Sequence, residues 1–128
     1  MQIRYSEPND IEISGSVEEL MEISKSLLNL NSCNATSFLV DAETNFDPSP
    51  YSSTLQQMMV IPTEGPVRIS VTNDSCILAE GSKENLKALA SFFDFLPDAQ
   101  PGYHHHYEYY EGNEWIAPDS EPIVISVG

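Results

Sequence analysis

Residues 15–20 read GSVEEL and residues 81–86 read GSKENL, two Gly-Ser openings that each lead into an apolar run of helical period. In the first, Ser16 precedes Glu19 with the spacing of a capping box, in which the hydroxyl and the carboxylate each satisfy an orphan backbone N–H. Leu20, Ile23, Leu27 and Leu30 then recur at helical spacing, which predicts a helix from about Val17 to Leu30. Glu18, Glu22 and Lys25 fall on its other face, the pattern of a helix laid on a sheet. In the second, the serine opens a helix predicted from about Lys83 to Phe95. Gly81, Ser82, Glu84 and Leu86 repeat Gly15, Ser16, Glu18 and Leu20 at a constant shift of 66 residues. Leu89, Phe93 and Leu96 repeat Ile23, Leu27 and Leu30 at the same shift, and Ile77 falls on Ile11.

Strand signals surround each helix in the same order. Ile3 to Tyr5 and Ile11 to Ile13 read as short strands joined by the turn SEPND, and Val67 to Val71 alternates before an Asn73-Asp74 turn and a return from Cys76 to Ala79. After the first helix come a strand from Ser37 to Val40, a surface loop AETNFDPSPYSSTLQQ and a strand from Met58 to Ile61. After the second come Tyr103 to Tyr109, the loop GNEWIAPDSE and Ile123 to Val127. The expected architecture is therefore α+β, an antiparallel sheet with two helices packed on one face. It would be one domain over residues 1–128, built as a duplicated β-β-α-β-β unit with halves 1–65 and 66–128.

Composition narrows the function classes. A chain of 128 residues with 41% apolar content can bury a core without staples, and two cysteines outside any CxxC pattern read as free thiols. Five Lys and Arg against twenty Asp and Glu leave a formal charge of -15, a field that repels nucleic acid and anionic lipid and attracts basic proteins. The start MQIRYSEPND lacks the pattern of a signal peptide, and no stretch has the roughly 20 apolar residues of a membrane span, so a cytoplasmic protein is expected. No Gly-x-Ser-x-Gly elbow and no glycine-rich phosphate loop is present, and an enzyme is not expected.

The stretch GYHHHYEYYEG, residues 102–112, tests that expectation most sharply. Strand alternation sends Tyr103, His105, Tyr107 and Tyr109 to one face and His104, His106 and Glu108 to the other. A His-x-His pair can chelate zinc or copper, but carboxylates would have to complete the site because the chain has no histidine outside this run. Aromatic packing across strands is the favoured reading, with no cofactor, and metal binding or metal-dependent chemistry at His104 and His106 is the alternative. Folding would then need no metal, so chelator should leave the melting temperature unchanged.

Charge falls unevenly along the chain. After Lys87 there is no Lys or Arg, while carboxylates gather among aromatic residues: Tyr107, Tyr109, Tyr110, Glu111, Glu114, Trp115 and Asp119. Carboxylates steer a basic partner, and Tyr and Trp supply anchors that carry interface energy, so these seven form the expected partner-binding surface. The C-terminal half also resembles the immunity protein family Imm32, small bacterial proteins encoded beside polymorphic toxins. The likeness is carried by Gly81 and Ser82 at the helix start, by His104 and His106 on a strand, and by Ser120, Pro122, Ile123, Val124 and Ile125 at the last strand. It implies tight binding to a toxin domain. The first half, with SFLVDAE and MMVIP at the corresponding places, departs from that pattern.

Overall fold

The computed structural model describes residues 1–30, 37–73 and 75–128; Cys33 and Asp74 lie outside the described residues. The first hairpin joins β1 (Gln2–Ser6) to β2 (Asp10–Gly15), and α1 (Val17–Asn29) follows. Next come β3 (Phe38–Asp41), a two-residue β4 (Ser53–Thr54) and β5 (Gln57–Pro62). The second hairpin, β6 (Arg68–Thr72) and β7 (Cys76–Gly81), leads to α2 (Lys83–Ala90), then β8 (His104–Tyr107) and β9 (Ile123–Val127).

Both helices start as their sequences dictate. Ser16 accepts from the Glu19 N–H, and the Glu19 carboxylate accepts from the Ser16 N–H, so the capping box closes. Glu19 also accepts from the Met1 amine, and these bonds, that to the amine first, hold its carboxyl below the usual range. Ser82 caps α2 by accepting from the Asn85 N–H. The second helix ends earlier than its periodicity suggests and tightens into a 3₁₀ turn over Ser91–Phe93. There the Ser91 hydroxyl donates to the Ala88 carbonyl, a local bond that competes with the helical ladder. Phe93 stays in the core, but Leu96, past the turn, is 74% exposed. The match between Leu96 and Leu30 therefore does not extend to burial.

The α+β class holds, while the strands divide between two sheets, each of them mixed. The orders are β4-β1-β2-β9-β8 and β3-β5-β7-β6, with β2 parallel to β9 and β5 parallel to β7. Each sheet takes its hairpin from one half of the chain and its last two strands from the other. The pairing registers correspond: Ile3↔Ile13 in one hairpin is matched by Ile69↔Ala79 in the other. Likewise Ile13↔Ile125 is matched by Ala79↔Val60, and His105↔Ile125 by Phe38↔Val60. The Ser24 hydroxyl on α1 donates to the Ala90 carbonyl on α2 at 2.9 Å, so two positions 66 residues apart meet where the helices pack together. One continuous core lines the inner faces of both sheets and the apolar sides of both helices.

The two long loops run along the outer edges of the hairpins. The Leu55 N–H donates to the Ile3 carbonyl, and the Glu121 N–H donates to the Ile69 carbonyl. Leu55 is fully buried, so the stretch expected as a surface loop is anchored where it passes β1 and supplies β4.

Gly81 shows how tightly β7 meets the start of β6. A Cβ there would sit 2.9 Å from the Val67 Cα, a backbone atom that cannot yield. At the corresponding Gly15 the nearest atom is the Glu19 Oε1 of the capping box, at 3.3 Å, a side-chain atom. Gly81→Ala is therefore expected to cost about 1–3 kcal/mol in chemical denaturation through overpacking. Gly15→Ala, which meets side-chain atoms at 3.3 Å and beyond, is expected to cost less than Gly81→Ala.

Candidate functional site

The chain leaves β8 at Tyr107 and travels to the outer edge of β6 before returning as β9. The strand itself follows the alternation expected of it. His105 and Tyr107 turn inward, and His104 and His106 face solvent. His105 stacks on Phe95 with ring centroids 4.3 Å apart and lies 3.0 Å through Nδ1 from the Phe92 carbonyl. Tyr103 lies before the strand and is exposed, so it does not share that inner face.

Tyr107 is corrected from the expected partner surface to the core. It is 2% exposed, packs edge-on against Phe92 at 4.9 Å, and burial pushes its phenol above the usual tyrosine range. Among the described residues its hydroxyl, which is buried, has no hydrogen-bond partner. Such an orphaned group costs about 1–3 kcal/mol, so Tyr107→Phe is expected to raise stability by about 1 kcal/mol in chemical denaturation. Tyr109 is half-buried against the core.

Beyond Tyr109 the backbone is fixed by its own polar groups. The Asn113 N–H donates to the Tyr110 carbonyl at 3.0 Å, closing a turn whose third residue, Gly112, has φ 90°. That left-handed conformation suits glycine alone without strain. The Asn113 Oδ1 then accepts from the Trp115 N–H at 2.8 Å and the Ile116 N–H at 3.3 Å. Val67 clamps the next residues, donating to the Trp115 carbonyl at 2.6 Å and accepting from the Ala117 N–H at 2.8 Å. Ile116 and Ala117 are buried, whereas Trp115 is exposed.

The segment thus presents Tyr110, 60% exposed, and Trp115, 52% exposed, beside exposed Glu111 and Glu114. Among the described residues neither Glu111 nor Glu114 forms an ion pair. Asp119 differs, because the Arg68 Nε reaches its carboxylate at 3.0 Å and offsets its charge. Of the seven residues expected at the surface, four therefore form an exposed acidic and aromatic group on a braced backbone. Its chemistry suits protein recognition: exposed aromatic area on a braced backbone, and carboxylates placed to attract cations.

His104 and His106 do meet on the outer face, with ring centroids 5.0 Å apart, and His104 Nδ1 lies 2.9 Å from the Gly102 carbonyl. Among the described residues no group of three or more His, Cys, Asp or Glu side chains converges as a metal site would require. His106 and Glu108 instead line a cleft of about 200 Å³ with Asp10 and Tyr51. No helix among the described residues is long and apolar enough to cross a membrane.

The family described as Immunity protein 32 matches residues 80–127, a span that holds α2, β8, the acidic and aromatic segment, and β9. Comparison with curated proteins and with solved structures found no match.

Proposed function

We propose that the chain is an immunity protein that neutralises a cognate bacterial toxin by stoichiometric binding, with Tyr110, Glu111, Glu114 and Trp115 as a recognition group. The match to Immunity protein 32 carries this reading, because its span includes all four residues. The excess of carboxylates favours a basic partner and disfavours nucleic acid and anionic membranes, in keeping with action in the cytoplasm. Inhibition would come from occupancy of the toxin, without turnover and without a cofactor.

Co-expression with the toxin domain encoded by the neighbouring gene provides the test. Growth should be restored only as the chain approaches equimolar amounts, and the purified pair should run as a one-to-one complex. Rescue at a small fraction of the toxin concentration would mean turnover and overturn the stoichiometric mechanism. A toxin that forms no complex with the chain would overturn the immunity reading itself.

A further inference from the structure

The outer faces of the two sheets differ in a way that their shared pairing pattern does not require. Across the sheet that holds β1, the outward row is Arg4, Glu12, Val124 and His106, and Arg4 is bonded within that face to Glu12 and Ser14. The corresponding row across the other sheet is Ser70, Leu78, Met59 and Leu39. Leu39 is 47% exposed, and Met59, Ile61 and Leu78 on the same face are half-buried and lie outside the core.

The strand sequences say the same thing independently. QIRYS and DIEIS alternate apolar with polar, as strands with one wet face do. By contrast FLV in β3, MMVI in β5 and CILA in β7 are continuous apolar runs, the mark of strands covered on both faces. Among the described residues, the core of this chain covers only their inner face.

We propose that the outer face of β3, β5 and β7, centred on Leu39, Met59 and Leu78, docks a protein partner that presents apolar side chains ringed by cations. The rim selects that occupant. Asp41 and Glu80 lie on this face, and Glu114 lies beyond its β6 edge, where Arg68 is already engaged by Asp119. A second copy of the chain would bring the same carboxylates against them, whereas a basic rim would pair with them. Trp115, exposed where its segment clamps Val67, extends the surface beyond β6. The identity of the partner as the toxin rests on the function proposed above; the face itself is argued from the strands.

Binding of the toxin domain encoded by the neighbouring gene should be titrated against wild type, Leu39→Lys with Met59→Lys, and Val124→Lys as a control on the other sheet. Sedimentation of each chain alone completes the set. The expected result is a monomeric wild type, at least about thirtyfold weaker binding by the double variant at unchanged melting temperature, and a control within about threefold. Should the lysines unfold the chain, Leu39→Ala with Met59→Ala takes their place, with about tenfold weakening expected. Wild-type affinity in the substituted chain would overturn the docking face while leaving the immunity reading intact. A wild-type dimer that the double variant dissociates would overturn it too, by showing that a second copy covers the face. Absence of any wild-type complex would overturn the immunity reading together with this partner.

Discussion

Expressed separately, residues 1–65 and 66–128 are each expected to show no cooperative melt, and to recover the native spectrum when mixed in equal amounts. The reason lies in the exchange of strands. In isolation the first half would keep the β1–β2 hairpin but lose β9, which pairs with β2 along Glu12–Gly15. The second half would keep β6 and β7 but lose β5, which pairs with β7 along its whole length. A two-stranded hairpin is marginal in water, the two-residue β4 adds little to it in the first half, and fewer than about 70 residues rarely bury enough apolar surface to stand alone. Each half would also expose the helix side that meets its counterpart through Ser24 and Ala90. The loss is thus expected to be complete, not partial. Circular dichroism with size-exclusion chromatography checks it, and a monomeric half that melts cooperatively would show that the exchange is dispensable.

That interleaving marks where the sequence stopped being legible. Capping residues and the 3.6-residue period report local geometry, so both helix starts and the hairpins could be read from Ser16, Ser82 and the alternating strands. Strand periodicity reports which face is buried but not which strand lies alongside, so the division into two sheets was invisible in it. The 3₁₀ ending of the second helix was equally hidden, since Leu96 keeps the helical period while the Ser91 hydroxyl competes with the ladder. At the candidate site the alternation rule did place Tyr107 opposite His106, yet the charge pattern grouped it with a surface. A tyrosine in a mixed run carries no mark of whether its ring meets Phe92 or water. The apolar runs in β3, β5 and β7 did carry a signal, because continuity on both phases of a strand asks for two covers.

Trp115→Ala and the pair Glu111→Lys with Glu114→Lys are expected to weaken toxin binding through different rate constants. Trp115 offers its ring from a backbone already fixed by Asn113 and Val67, so little ordering cost remains to be met on association. Truncating an anchor of that kind removes contact area formed only in the complex, so the off-rate should rise, by about 2–4 kcal/mol or roughly thirty- to several-hundredfold. Glu111 and Glu114 are exposed and form no ion pair among the described residues, so their charge acts at a distance. Reversing both should lower the on-rate by about tenfold at low salt and leave the off-rate nearly unchanged. Screening over about 8 Å at physiological ionic strength should shrink that difference as salt is added, whereas the Trp115 effect should persist. Kinetic binding at two salt concentrations separates them, with melting temperature as the control for folding. An on-rate untouched by charge reversal at low salt would remove the acidic segment from recognition. The helix face carrying Glu18, Glu22 and Lys25 would then be the next surface to test, since Lys25 pairs with Glu22 at 3.7 Å and leaves Glu18 exposed for a basic partner.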